Sequence, residues 1–379
     1  MQETEESRAM ALAVRKFAES ELSPHAVAWD QEKHFPVDVL QRAAALGLGG
    51  IWVAEDVGGS GLTRSDGVRI FEELARGDTS IAAYVSIHNM VTSMVDSAGT
   101  PEQRRRWVPA LTSMESLGSY CLTEPDAGSD AAALRTTARK VDGGYVLDGV
   151  KQFISGAGTS ALYVVMARTT DAGAGGVTAF VVTRDAEGLT FGANELKMGW
   201  NAQPTRQVVL DQVFVPDDQR LGEEGDGFGI AMRGLNGGRL NIAACSLGGA
   251  QWAFEAAVTH LRSRTAFGAP LIEQQALQFR LADMDTSLHA ARGLLHRAAA
   301  ALDAGEADAP KLCAMAKRYV TDAGFDVANT ALQLHGGYGY LAEYGIEKVV
   351  RDLRVHQILE GTNEIMRLIV GRAVVKDAA

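Results

Sequence analysis

Leu359-Glu360-Gly361-Thr362-Asn363-Glu364 sets a carboxylate at a helix break. Such a carboxylate can act as a general base if it points into a cleft while the backbone donors of the break stay free. The same residues also describe a surface glutamate beside a C-cap glycine, and taken alone that plainer description is the stronger. A second segment, Tyr120-Cys121-Leu122-Thr123-Glu124-Pro125-Asp126-Ala127-Gly128-Ser129-Asp130, gathers small hydroxyl residues around a glycine turn. It offers donors to a polar ligand, or it is an ordinary Pro-Asp-Gly turn, and its own residues do not decide. Other signals carry less. Gly156-Ala157-Gly158-Thr159-Ser160-Ala161 has the GxGxxG/A spacing, but it leads into a strand at Leu162 to Met166 instead of opening a helix, so it reads as a glycine turn. The histidines show no HExxH or other metal-ligand spacing, and no metal is expected. His88 and His335 read as hydrogen-bonded packing residues, and Ser129 lacks a GxSxG elbow.

Three regions must position these residues. From 1 to about 115 the chain reads as helical: Thr100-Pro101-Glu102-Gln103 supplies an N-cap threonine, a first-position proline and a capping-box glutamine. Gly58-Gly59-Ser60-Gly61 marks a loop between helices. From about 116 to 222 come short β-rich runs, Tyr145-Val146-Leu147, Tyr163-Val164-Val165-Met166, Ala179-Phe180-Val181-Val182 and Gln207-Val208-Val209-Leu210. No helical pattern alternates with them, which predicts a compact antiparallel β domain and not a Rossmann sheet. From about 223 to 379 helices return, with Leu277, Leu281, Met284, Leu288, Ala291 and Leu295 forming a bundle-core stripe and Gly305 and Pro310 punctuating the next connection. The expectation is an α+β chain ordered helical, β, helical.

Thr123-Glu124-Pro125-x-x-Gly128-Ser129-Asp130 followed by Lys151-Gln152-Phe153-Ile154-Ser155 resembles the acyl-CoA dehydrogenase family. The resemblance continues in order through Arg264-Thr265-Ala266-Phe267-Gly268, Gln275, Gln333-Leu334-His335-Gly336-Gly337 and the segment around Glu360, spanning nearly the whole chain. One departure is Asp126, where family members often have glycine. The resemblance implies an N-terminal helical domain, a middle β domain and a C-terminal four-helix bundle, with FAD as cofactor. Tyr120, Leu122, Thr123 and Ser129 would hold the flavin from one side, and Phe153, Ile154 and Ser155 would cover the isoalloxazine. Arg264, Phe267, Gln275, Gln333, Gly336 and Gly337 would reach the adenine half of a neighbouring subunit's FAD, with Thr362 and Glu364 completing the site. Such sharing implies an obligate oligomer, a homotetramer by family habit. Asn236 and Arg239 match positions approaching the CoA moiety, with Ser129, Gly361 and Arg372 as further substrate contacts; a helix salt bridge is the alternative for Arg239.

The implied reaction is α,β-dehydrogenation of an acyl-CoA thioester. Its α-proton is weakly acidic, so the base must lie within hydrogen-bond reach and have a raised pKa. A free glutamate near 4.3 is too acidic, and desolvation by acyl chain and flavin would correct that. Fixed donors must meet the developing enolate charge. By resemblance the base is Glu360. One subgroup places its base immediately before the residue matching Arg239, but Gly238 stands there. The segments Trp200 to Arg206, Arg233 to Arg239 and His356 to Glu364 are most similar to the branch acting on isobutyryl-CoA in valine breakdown. Leu359 stands where straight-chain relatives often carry tyrosine, leaving width for a branch at Cα.

Composition narrows the remaining classes. Net charge is −11, from 36 Lys and Arg against 47 Asp and Glu, which disfavours the nucleic-acid-binding flavoproteins of this fold; Arg104-Arg105-Arg106 reads as a solvated helix face. Acyl-CoA oxidases are usually much longer than 379 residues, so electron-transfer flavoprotein is the expected acceptor. Cys121, Cys245 and Cys313 are scattered, fitting a reducing compartment. No apolar run approaches the roughly 18 residues of a membrane span. The start, Met1-Gln2-Glu3-Thr4-Glu5-Glu6, is acidic and unlike a leader, so a bacterial cytoplasm is expected, or the mitochondrial matrix if this start is a processed one.

Overall fold

The capping signal at Thr100 forms as its spacing predicts: Thr100 Oγ1 accepts from the Gln103 N–H, and the Thr100 N–H donates to Gln103 Oε1 at 2.8 Å. Gln103 Nε2 also donates to the Asp218 and Arg220 carbonyls, tying this helix to the β region. The computed structural model describes residues 5–377, so the start at Met1 to Thr4 lies outside it. The first region holds helices α1 (Glu5–Phe17), α2 (Ala26–Glu32), α3 (Val37–Ala44), α4 (Arg64–Gly77), α5 (Thr79–Ala98) and α6 (Pro101–Thr112). Strands β1 (Gly118–Cys121), β2 (Thr137–Val141), β3 (Gly144–Ser155), β4 (Leu162–Arg168), β5 (Val177–Thr183), β6 (Leu189–Phe191), β7 (Thr205–Pro216) and β8 (Arg220–Leu221) follow. Helices α7 (Gly227–Ser263), α8 (Gln275–Asp303), α9 (Ala309–His335), α10 (Ile346–His356) and α11 (Asn363–Asp377) complete the chain.

The sheet runs β6-β7-β3-β2-β4-β5-β8, with β1 also on β4. Most neighbours are antiparallel as expected, but β1 lies parallel to β4 and β2 touches β4 in parallel. A parallel neighbour needs a long connection, and this one leaves β1 through the hydroxyl-rich loop singled out above. The apolar runs are continuous because β4 and β5 are buried on both faces. Leu162, Val164 and Met166 meet α5, α6 and α7, while Tyr163, Val165 and Ala167 meet the other strands. A register shift in β3 between Lys151 and Ile154 is a bulge, which will matter at Phe153.

The two helical regions, far apart in sequence, share one core. Phe71 and Tyr84 from the first join Leu247, Leu288, Leu295 and Val320 from the last, all at 1% exposure or less. Met284, Leu288, Ala291 and Leu295 of the expected stripe are buried, whereas Leu277 and Leu281 lie at its open end. In place of a single fourth bundle helix, α10 and α11 both pack on α9, and Glu360 lies between them. No helix among the described residues is long and apolar enough to cross a membrane.

Candidate active site

After α10 the backbone turns left-handed at two successive residues, Glu360 (φ 55°) and Gly361 (φ 86°). Glycine is needed at 361, where a Cβ would come within 2.6 Å of Met366 Cε. For Glu360 the conformation costs on the order of 1–3 kcal/mol, a strain that surrounding contacts must hold. The residue is partly exposed, yet Oε2 is shut off from solvent with no hydrogen-bond partner among the described residues. It lies against α7 at Gly238: a Cβ there would stand 2.6 Å from Oε2 and 2.8 Å from Met90 Cε. The residue replacing the subgroup's alternative base is therefore also the one that makes room for this carboxylate.

Burial raises the Glu360 carboxyl to about 7, opposed by the positive charges of Arg239 and Lys317. Facing it, the Tyr120 hydroxyl is likewise buried without a partner, and burial and then Glu360 hold it protonated. Burial lowers the pKa of Arg239, with Glu360 opposing. Its Nη1 donates to Asn236 Oδ1 at 2.7 Å, one helical turn away, so the contact made is with an amide and not the salt bridge considered from sequence. Its Nε is buried and unpartnered.

The two segments flanking the β bulge are stitched together. The Gln152 N–H donates to the Thr123 carbonyl at 2.8 Å, and Ser119 Oγ donates to the Ser155 carbonyl at 2.6 Å. Beneath them runs a buried ion pair that the sequence reading did not single out. Lys151 Nζ, fully buried, donates to Glu124 Oε1 at 2.7 Å and to the Leu122 carbonyl at 3.1 Å. Glu124 also accepts from the Arg135 and Thr136 N–H groups. The available signal was a lysine inside a β-rich run, which needs a counter-charge if buried. Held this way, Leu122 and Ile154 are buried, while Phe153 turns outward in the left-handed region (φ 59°) with 64% of its surface exposed. An exposed aromatic on a strained bulge is suited to stack on a planar ring. Ser129 lies at the exposed end of the loop.

A second group forms elsewhere. Arg264, Gln333, Gly336 and Gly337 line a surface cavity of about 670 Å³ together with His260 and Tyr338. Gln275 starts α8 beside it, next to the lining residue Ala276. Phe267 projects from the tight turn after Arg264 with 94% exposure and φ 53°. Cβ atoms at Gly336 and Gly337 would meet nothing within 4 Å, so a ligand could approach that backbone closely. Thr362 and Glu364 are engaged locally: Thr362 Oγ1 accepts from the Ile365 N–H, and Glu364 pairs with Arg367. Arg372 is exposed on α11. His335 Nδ1 lies 2.7 Å from the Ala331 carbonyl and its ring stacks on His260. His88, buried and lowered to about 4 by desolvation, accepts from the Gly118 N–H through Nδ1, leaving Nε2 to donate to the Leu111 carbonyl. Both are packing residues.

Family models match almost end to end: the acyl-CoA dehydrogenase N-terminal domain over residues 4–115, the middle domain over 119–213 and the C-terminal domain over 225–375. The chain is 50% identical to the mitochondrial isobutyryl-CoA dehydrogenase of Bos taurus over 99% of its length and 90% of the relative's. It is equally similar to that of Dictyostelium discoideum, at 50% over the same shares. Among solved structures, butyryl-CoA dehydrogenase from Megasphaera elsdenii superimposes with a TM-score of 0.96 at 35% identity, covering 99% of both chains.

Glu124→Gln leaves Lys151 buried without its counter-charge, a change expected to cost about 3–5 kcal/mol. Because the pair underlies both Thr123 and Phe153, FAD is expected to be released at lower urea than from the wild type, read by flavin fluorescence. Unchanged urea midpoints for unfolding and release would contradict this role.

Proposed function

We propose that this chain, which belongs to the acyl-CoA dehydrogenase family, takes the α-proton of a short α-branched acyl-CoA with Glu360, isobutyryl-CoA being the preferred substrate. It is an FAD-dependent oxidoreductase. The observation carrying the assignment is the Glu360 carboxylate itself: its Oε2 is buried without a partner among the described residues, and burial raises the group to about 7. A base with that pKa is about half ionised at neutral pH and still strong enough to compete for a thioester α-proton. Arg239 and Lys317 keep it from rising further.

In this reading the α C–H bond breaks as its proton passes to Glu360, and the Glu360 N–H meets the charge that develops on the thioester oxygen. FAD, when bound, supplies the acceptor for the β-hydride. Tyr120, Leu122, Thr123 and Ser129 would lie along one side of the flavin and Phe153, Ile154 and Ser155 against its ring. The exposed bulge at Phe153 and the buried Tyr120 hydroxyl support that arrangement. Asn236 and Arg239 would approach the CoA arm.

Leu359 favours the branched acyl group. It packs on a small apolar cluster of Ala83, Trp200 and Ile242, which backs it beside the base. Trp200 is fixed there, since its Nε1 donates to His356 Nε2 at 3.2 Å. His356 then carries its proton on Nδ1 and donates to Ser246 Oγ at 2.6 Å. The cavity containing Arg264, Gln333, Gly336 and Gly337 would take the adenine half of a neighbouring subunit's FAD within a homotetramer. Electron-transfer flavoprotein would accept the electrons.

Glu360→Gln should keep FAD and acyl-CoA binding and lose about 10²–10⁴-fold in anaerobic flavin reduction. The wild-type kcat/KM should rise with pH through about 7, because only the ionised carboxylate is a base; near wild-type reduction in the variant would remove Glu360 from its role. In an electron-transfer-flavoprotein-linked assay, isobutyryl-CoA should exceed butyryl-CoA and octanoyl-CoA in kcat/KM. The margin should be modest, as one methylene is worth only about 1–3 kcal/mol. A higher value for either straight chain refutes the substrate. Sedimentation should find a tetramer that loses FAD on dissociation, and a monomer retaining stoichiometric FAD would refute the shared site.

A further inference from the structure

The buried lysine on α9 that restrains the rise of the Glu360 carboxyl also makes hydrogen bonds whose purpose is not yet accounted for. Lys317 is fully buried, and its Nζ donates to the Gly361 carbonyl at 2.7 Å and to Asn363 Oδ1 at 2.9 Å. These acceptors stand one and three residues after Glu360 and more than 40 residues along the chain from the lysine. Asn363 cannot turn its amide away, because Nδ2 donates to Asp322 Oδ1 at 2.7 Å and to Thr321 Oγ1 at 3.0 Å. Gln357, on the other side of Glu360, donates to the same Asp322 oxygen at 2.8 Å, and its carbonyl accepts the Asn363 N–H at 3.0 Å. The break between α10 and α11 is thus held at both ends, and the ammonium grips the peptide that follows the base.

A core position filled by lysine calls for a reason, since an apolar side chain of similar length would pack without the cost of burying a charge. The strained turn supplies one. Glu360 and Gly361 are both left-handed, and the Gly361 carbonyl must stay where α9 can reach it. We infer that Lys317 is a positioning residue for the base: by clamping the Gly361 carbonyl and the Asn363 side chain it holds Glu360 in the left-handed turn that aims its carboxylate at Gly238. The inference rests on Glu360 being the base. Burial lowers the Lys317 ammonium to about 7, with Glu360 opposing; Arg239 from α7 lowers it further, while Asp322 on its own helix and Glu364 from α11 favour the charged form. Its positive charge opposes the upward push of burial on Glu360, as does that of Arg239.

Two effects follow from removing the ammonium. The turn loses its grip, so the carboxylate strays from the α-carbon, and the carboxylate loses a nearby positive charge, so it ionises at higher pH. Lys317→Met in the holoenzyme should retain FAD and substrate binding with KM little changed. Flavin reduction should slow by roughly 100-fold, the scale of an ångström-level misplacement. The pH midpoint of kcat/KM should move upward, which a loss of packing alone would not cause. Lys317→Arg, which restores charge and donors, should recover part of the rate and bring the midpoint back. A Lys317→Met holoenzyme with wild-type rate and wild-type midpoint overturns the inference, whatever happens to its thermal stability. Should that variant not fold, Asn363→Ala removes the other half of the clamp; an unchanged rate there overturns the inference, and a slowed rate at unchanged KM supports it. Glu360→Gln separates this from the assignment of the base: if it still reduces flavin, the base is elsewhere, whereas an inert Glu360→Gln with an unaffected Lys317→Met removes only Lys317.

Discussion

A carboxylate with one oxygen kept from water, and without a hydrogen-bond partner among the described residues, is the constraint around which this molecule is arranged. Glu360 Oε2 lies against Gly238, and burial holds its proton up to about 7. In water the same side chain would ionise near 4.3 and be a weak base. Shielding that oxygen requires α7 to come close, where a Cβ at 238 would stand 2.6 Å from it, and requires the chain between α10 and α11 to take two left-handed residues in succession. Neither condition can be met by the local segment alone.

The rest of the helical framework meets them. Helices from both ends of the chain share one core, so α7 is packed by α4 and α5 on one side and by α9 on the other. Cavities in such a core are costly, and its rigidity is what lets a strained turn persist. Buried charge recurs at three irregular points. Lys151 and Glu124 underlie the bulge at Phe153, and Lys317 lies under the turn at Glu360. Lys348 joins Asp78 and Asp352 where Asp352 accepts the Trp200 N–H. Each ammonium bonds to a segment distant from it in sequence, which a point charge with three donors on a long stem can do and an apolar side chain cannot.

Much of the architecture was legible beforehand. The capping box at Thr100 is a local device whose partners lie three residues apart, so its spacing suffices to predict it. The β-rich runs at Tyr163 and Ala179 were legible because strands buried on both faces must be continuously apolar. The parallel placing of β1 on β4 was not, since pairing depends on which segments meet and not on the texture of either. Leu277 read as core by periodicity but lines an open cavity, because periodicity identifies a helix face and not where its cover ends.

For the site, the ordered motifs from Thr123 to Glu364 carried the family and the cofactor, and named the candidate residues, because the chemistry needs those side-chain types whatever surrounds them. What the residues do to one another was decided only by the tertiary structure. Residue type alone described Glu360 better as a surface glutamate beside a C-cap than as a base. Its raised pKa comes from desolvation by segments distant in sequence; the Arg239 contact is with Asn236 and not with a carboxylate; and Lys151 and Lys317 are anchors instead of surface charges. Sequence determines which groups are present, but dielectric surroundings and hydrogen-bond distances exist only once distant segments are brought together, and those set the chemistry of an ionisable group.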